Sequence, residues 1–147
     1  DPSALTFEVT ETVAIANMTL AETFLARLHE IGCSTALDDF GAGMSSFAYL
    51  RELPVDYVKI DGRFVRNLAV NATDQAMVRA MNDIAHALGK RAIAEFVEDE
   101  GCFQLLREYG VDYAQGFHLG RPEVILAAAD DGAGTDAGQR VVYLKPR

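Results

Sequence analysis

Side chains that can hold a metal ion, carry charge or move a proton recur at one kind of place in this chain. Glu8 and Glu11, Asp38 and Asp39, Lys59 and Asp61, Glu95 and Glu98, and then Gln115 each fall at or just past the end of a β-like run, ahead of the next helix-like run. In a parallel α/β sheet or barrel those ends share one rim, where active sites are built. Carboxylates gathered there repel one another and are pushed toward protonation unless cations hold them. Hard divalent ions with oxygen ligands, Mg²⁺ or Mn²⁺, are the natural counter-charge. A lone strand-end acid more often caps a helix or sits in solvent. On that reading Asp61, Glu98 and Asp99 are caps and Lys59 is a snorkelling lysine. Recurrence at four successive strand ends is what favours a shared metal site. Asp38 and Asp39 add a constraint, because neighbours in a regular strand point to opposite faces. Both reach one point only where the pleat breaks, and Phe40-Gly41-Ala42-Gly43 is the expected break.

The elements that must position these groups alternate. Leu5 to Thr10 reads as a strand rich in β-branched and aromatic residues. A helix is expected from Thr19, with Glu22 completing a capping box and Phe24, Leu25, Leu28 and Ile31 at helical spacing, ending at Gly32. Thr35 to Asp39 forms the second strand, Phe47 to Arg51 a short helical stretch closed by Pro54, and Asp56 to Asp61 the third strand. Asp74 is the expected cap of a helix with Met77, Met81, Ile84, Ala85 and Leu88 on one stripe and Gly89 at its end. Arg91 to Glu95, a helix through Phe103, Leu105, Leu106 and Tyr109, and Tyr113 to Gln115 follow. Such alternation implies parallel strands with crossover helices. Residues 1–125 are expected to form the folded unit. Residues 126–147 read as a flexible Ala/Gly/Asp-rich tail in which Val141 to Leu144 could add a stray strand.

Composition narrows the function classes. The chain has 147 residues, enough for one domain. With 13 Lys and Arg against 22 Asp and Glu, its net charge is −9. That argues against binding a nucleic-acid polymer or docking on an anionic membrane. The apolar run Val124 to Ala129 is too short to span a bilayer. Cys33 and Cys102 read as reduced, partly buried thiols of a cytosolic protein. The first residue is Asp1 and no basic-then-apolar leader precedes the first strand, so no signal peptide is expected and the chain reads as a piece of something longer.

Phe7-Glu8-Val9-Thr10-Glu11, Ala36 to Gly43, Leu53 to Asp61, Ala94-Glu95-Phe96-Val97-Glu98 and Gln115-Gly116-Phe117 together resemble the EAL domain, the family of bacterial cyclic-di-GMP phosphodiesterases. The match runs from about Leu5 to Pro122, and its spacings agree: 30 residues from Glu8 to Asp38, 21 to Lys59, 36 to Glu95 and 20 to Gln115. The resemblance implies an α/β fold, a parallel (β/α) barrel cut here to about its last five strands. It implies two Mg²⁺ or Mn²⁺ ions, with Glu8, Asp38, Asp39 and Glu95 as metal ligands and Asp38 bridging. Glu95 would also help activate water, and Lys59 would orient that water and steady the phosphate. Glu98 and Gln115 would support the rim, and Asp61 would support Lys59. Glu11 would anchor the loop from Phe40 to about Ser46, and Phe40 and Gly41 at its start count with the supporting or substrate-binding residues. The implied reaction opens cyclic-di-GMP to linear pGpG, by two-metal hydrolysis.

The departures from the family pattern are specific. The Glu-Ala-Leu motif and the asparagine on the strand after it, ligands of the first ion, are absent. Ala42 stands where threonine is usual, Met44 where tyrosine is common, and Phe96 where glycine is usual. Five parallel strands cannot close a barrel, so a homodimer or contact with a missing N-terminal half is expected. The expected activity of the 147-residue chain alone is weak or nil. The alternatives are a module that binds cyclic-di-GMP without cleaving it, and a structural half-domain for oligomerisation. The expected setting is the bacterial cytoplasm, as part of a larger signalling protein, with no direct membrane contact.

Overall fold

The structure, a computed structural model, describes residues 1–43 and 47–121, together with the backbone of three short strands at 123–125, 136–138 and 141–143. In chain order the elements are β1 (Thr6–Thr10), α1 (Glu11–Ala16), α2 (Met18–Ile31), β2 (Ser34–Phe40), a 3₁₀ turn (Phe47–Arg51) and β3 (Tyr57–Ile60). Then come α3 (Gly62–Val65), α4 (Ala72–Ala87), β4 (Arg91–Ala94), α5 (Glu100–Glu108), β5 (Tyr113–Gln115), β6 (Glu123–Ile125), β7 (Asp136–Gly138) and β8 (Val141–Tyr143). Strands β1 to β5 lie in sequence order and pair in parallel. With helices crossing between them, this is the arc of a (β/α) barrel expected from the sequence.

Strand side chains Leu37, Phe40, Val58, Ile60, Ala92, Ala94 and Ala114 pack on Leu25, Val78, Met81 and Leu106 from the helices, all essentially inaccessible to solvent. Each buried Leu, Ile or Val removes about 1.5–3 kcal/mol of apolar exposure, so this contact holds the strand ends in place.

Several local readings shift. Helix α2 begins at Met18, and the Asn17 side chain, not Thr19 with Glu22, caps it by accepting from Leu20 N at 3.1 Å. Its buried face is Ala21, Leu25 and Leu28, while Phe24 and Ile31 stay exposed. Asn71, not Asp74, caps α4, and Val78 rather than Met77 faces the sheet. Neighbouring helix positions stand about 100° apart, so which one turns inward is set by where the sheet lies. Beyond residue 125, β7 pairs antiparallel with β6, and β8 pairs antiparallel with β5. The expected strand at Val141 is present to Tyr143, and Leu144 lies outside the described residues. A Val-Val-Tyr run covers the backbone groups that the β5 edge would otherwise leave open. At the opposite edge, among the described residues, β1 pairs only with β2, and Leu5, Phe7, Val13, Leu20, Phe24 and Ile31 around it are exposed.

Two successive units share one layout. Residues 47–57 and 103–113 align at an offset of 56, with identical Phe47/Phe103, Leu50/Leu106, Arg51/Arg107, Glu52/Glu108, Val55/Val111, Asp56/Asp112 and Tyr57/Tyr113. Upstream, His29 and His86 lie in the last turns of α2 and α4, before the left-handed Gly32 and Gly89. At the N-terminal end of the sheet, Asp56 Oδ2 accepts from His29 Nε2 (2.9 Å) and Thr35 N (2.8 Å). Asp112 Oδ2 accepts from His86 Nε2 (2.7 Å) and Ala92 N (2.8 Å) in the same manner.

Candidate active site

The C-terminal ends of β1 to β4 carry one ionic cluster. Lys59 on β3 is nearly sealed from solvent, and its Nζ meets Glu8 Oε2 at 2.7 Å, Glu95 Oε1 at 2.9 Å and Asp38 Oδ1 at 3.0 Å. Burial works against the Lys59 charge, but the hydrogen bonds to Glu8 and Glu95, the Glu95 charge and Asp38 outweigh it and hold the ammonium above the usual lysine range. Burial pushes the Glu95 carboxyl up; Lys59 pulls it back only in part, while the charges of Asp38 and Glu8 push the same way as burial. One cation therefore faces more negative charge than it can neutralise.

Asp38 and Asp39 do aim at one point, and the break that allows it is at Asp39 itself rather than in Phe40–Gly43. Asp39 has φ +57, and the β2–β3 register slips between Leu37 and Phe40. A left-handed residue in a bulge turns its side chain off the pleat. As a result, carboxylate oxygens of Asp38, Asp39 and Glu95 lie within 4.8 Å of one another.

The donor set fits a hard divalent cation. All three members are carboxylates, the ligand type that suits Mg²⁺ and Mn²⁺. Among the described residues Asp38 Oδ1 is buried without a hydrogen-bond partner, and Lys59 Nζ lies 3.0 Å from it. Of the expected ligands, Glu8 is not one of this trio; its Oε2 meets Lys59 Nζ at 2.7 Å.

The loop after β2 is tied down by Glu11, which is almost wholly buried at the start of α1. Its Oε2 accepts from Gly41 N (3.2 Å) and Gly43 N (3.0 Å), and its Oε1 accepts from the Tyr49 hydroxyl. Burial and the bond to Glu11 raise the Tyr49 phenol well above its ordinary range. Gly41 sits at φ +92, and a Cβ there would come within 2.7 Å of Met81 Sδ. Phe40 itself is buried in the core and packs against Phe47, the ring centroids 5.2 Å apart and the planes tilted by 47°, so it supports the site from below rather than lining it. The loop residues Met44, Ser45 and Ser46 lie outside the described residues.

Other expected members are placed differently. Asp61 caps α3, accepting from Arg63 N at 2.8 Å and Arg63 Nε at 3.1 Å; among the described residues no hydrogen bond or ion pair joins it to Lys59. Asp99 caps α5, accepting from Cys102 N at 2.8 Å. Glu98 is exposed on the rim. Gln115 is half-buried at the end of β5, and its carbonyl accepts from Val97 N at 3.1 Å. Gly116 next to it allows the two chain segments to touch, since a Cβ there would meet Val97 O at 2.2 Å. Tyr49 was not singled out by its spacing. The repeat would have exposed it, since Leu105 occupies the equivalent place and Tyr49 alone brings a hydroxyl.

Comparison with known proteins agrees with this geometry. The family model described as "EAL domain" matches residues 1–122. Cyclic di-GMP phosphodiesterase PdeB of Shewanella oneidensis is 52% identical over 121 residues, covering 82% of this chain and 14% of that protein. Cyclic di-GMP phosphodiesterase PdeF of Escherichia coli is 38% identical over 122 residues, covering 83% of this chain and 16% of that protein. The solved structure described as PaMucR phosphodiesterase in complex with c-di-GMP superposes with a TM-score of 0.78 at 39% identity, covering 82% of this chain and 49% of that one. The EAL domain of Mycobacterium smegmatis DcpA superposes with a TM-score of 0.77 at 39% identity, covering 83% and 55%. The chain thus spans about half the length of these solved domains and a small part of the full-length relatives. With strand-end carboxylates, fold and family model in agreement, the chain belongs to the EAL domain family.

Proposed function

We propose that this chain is the carboxylate-bearing half of a cyclic-di-GMP phosphodiesterase domain. The observation that carries the reading is the surplus of acid at the rim: Asp38, Asp39 and Glu95 converge while Lys59 is shared among Glu8, Asp38 and Glu95. Asp38, Asp39 and Glu95 would hold Mg²⁺ or Mn²⁺, with Glu8 as a further carboxylate on the other side of Lys59's shared ion pairs. Such ions supply charge neutralisation at the scissile phosphodiester and acidify the attacking water. Lys59 places a fixed positive charge where a phosphate oxygen or the incoming water would sit, and Glu95, with its affinity for protons raised by burial, accepts the water's proton. Glu11 holds the β2 loop rigidly beside them.

A second reading, binding of cyclic-di-GMP without cleavage, is favoured by one feature. Only three carboxylates converge as ligands among the described residues, fewer than two ions require. The solved FimX EAL domain of Pseudomonas aeruginosa, described as bound to c-di-GMP, superposes with a TM-score of 0.76 at 29% identity. We place the contact with further barrel strands, or with a second copy of the chain, on the exposed apolar face around β1. We assign the domain to the cytoplasmic part of a larger signalling protein; no helix among the described residues is long and apolar enough to cross a membrane.

The test is hydrolysis of cyclic-di-GMP by the chain at high concentration with excess Mn²⁺, reading pGpG by chromatography, with light scattering on the same sample. Turnover abolished by Glu95→Gln supports the phosphodiesterase reading. Calorimetric binding without turnover supports the second, and neither turnover nor binding in a folded sample overturns both.

A further inference from the structure

The carboxylates at the rim outline two neighbouring cation positions, and one of them already holds a positive charge. The Lys59 ammonium stands between Glu8, Glu95 and Asp38, at 2.7, 2.9 and 3.0 Å. The other position lies among Asp38, Asp39 and Glu95, whose oxygens come within 4.8 Å of one another. The two positions share Asp38 and Glu95. Each has one member of its own, Glu8 on the ammonium's side and Asp39 on the other.

Burial and charge together set how many ions this arrangement takes. Lys59 is 4% exposed, so an ion that displaced its ammonium would strand a buried charge without partners, a costly state. An ion that left Lys59 in place would need its ligands on the Asp39 side, where the described residues offer a single trio. Glu8, Asp38, Asp39 and Glu95 carry four negative charges between them. Lys59 with one divalent ion sets three positive charges against those four. A second ion would raise the three to five, and would place like charge beside the ammonium.

We propose that Lys59 is the second cation of this site: one divalent ion binds among Asp38, Asp39 and Glu95, and Glu8 holds the ammonium rather than an ion. This assignment rests on the metal-dependent reading above and moves Glu8 from the ion ligands to the lysine. Calorimetry and electron paramagnetic resonance with Mn²⁺ on the 147-residue chain, without substrate, test it. The wild-type chain is expected to saturate at one Mn²⁺, with the spectrum of an isolated ion. Lys59→Met empties the ammonium's position and keeps an apolar stem in its place. That variant is expected to take up a second Mn²⁺ and to show a magnetically coupled pair, bridged by the shared carboxylates. Asp39→Asn is expected to lower Mn²⁺ affinity about 10- to 100-fold, and Glu8→Gln to change it by no more than about threefold. Equal losses in D39N and E8Q overturn the proposal whether or not the lysine variant folds. A coupled pair in the wild type, or a folded K59M chain that stops at one ion, overturns it as well. Each of these leaves the metal reading standing. No Mn²⁺ binding to the folded wild-type chain overturns the metal reading and the proposal with it.

Discussion

At the N-terminal ends of the strands, Asp56 and Asp112 each meet one histidine and one strand amide. At the C-terminal ends, Glu8, Asp38 and Glu95 share one lysine, and Asp38 Oδ1 is left without a hydrogen bond. The residue types are much the same, acids beside bases on a parallel sheet. The lower arrangement satisfies each carboxylate locally, which is what stability requires. The upper one concentrates like charge that the fold alone does not neutralise, which is what a cation site requires. Conserving the same βα scaffold while unbalancing one end separates a joint from a site.

The largest expected effect falls at the unbalanced end. Glu95→Gln should lower cyclic-di-GMP hydrolysis by at least ~100-fold, with the melting temperature unchanged or raised, because a buried acid leaves the cluster. Next, Asp38→Asn should weaken Mn²⁺ binding by about 10- to 100-fold in calorimetry without destabilising the metal-free chain. A loss of stability in D38N as large as at the lower joints would break the contrast.

At the balanced end the direction reverses. Asp112→Asn should cost ~1–3 kcal/mol in urea unfolding, since it removes the charge-assisted bonds to His86 and Ala92 N, and should leave Mn²⁺ affinity unchanged. Asp56 sharpens the same point through pH. Burial alone would raise its carboxyl, but the Thr35 amide and His29 outweigh it and hold the group below its usual range. Its contribution is therefore present above about pH 4, the unfolded value, and is lost as pH falls through the folded one. Asp56→Asn should destabilise the chain at neutral pH, and the gap from wild type should close as the solution is acidified. The smallest effect, ~1 kcal/mol, is expected for Tyr49→Phe, which removes one of three donors to Glu11.

The convergence of Glu8, Asp38, Asp39, Lys59 and Glu95 was legible because strand ends of a parallel sheet must share a rim, and each of these acids or bases stands at such an end. The mechanism of convergence was not. A non-glycine residue at positive φ, as at Asp39, is imposed by the register of β2 against β3, which no local propensity reports. Asn17 and Asn71 compete as caps with Thr19 and Asp74, all acceptable cap residues a few positions apart, and tertiary packing decides. Helices as short as α1 and α3 carry too little periodicity to be read. Asp61 was assigned to Lys59 and instead caps α3, the bland alternative for a strand-end acid. The His29/His86 and Asp56/Asp112 joints were legible in principle, through the self-similarity of the chain at an offset of 57 and then 56 residues.

The Glu11 anchor gives the β2 loop an unusual time behaviour. Backbone N–H groups in a surface loop ordinarily trade their protons with solvent in the fast limit, because nothing must open first. Gly41 and Gly43 donate instead to a carboxylate that is itself out of solvent, so their hydrogens leave only when Glu11 lets go. In deuterium exchange they form a slow pair. The rate at which that protection fades then counts how often the tether opens, and any ligand that pulls Glu11 away registers as a speeding of two identifiable amides.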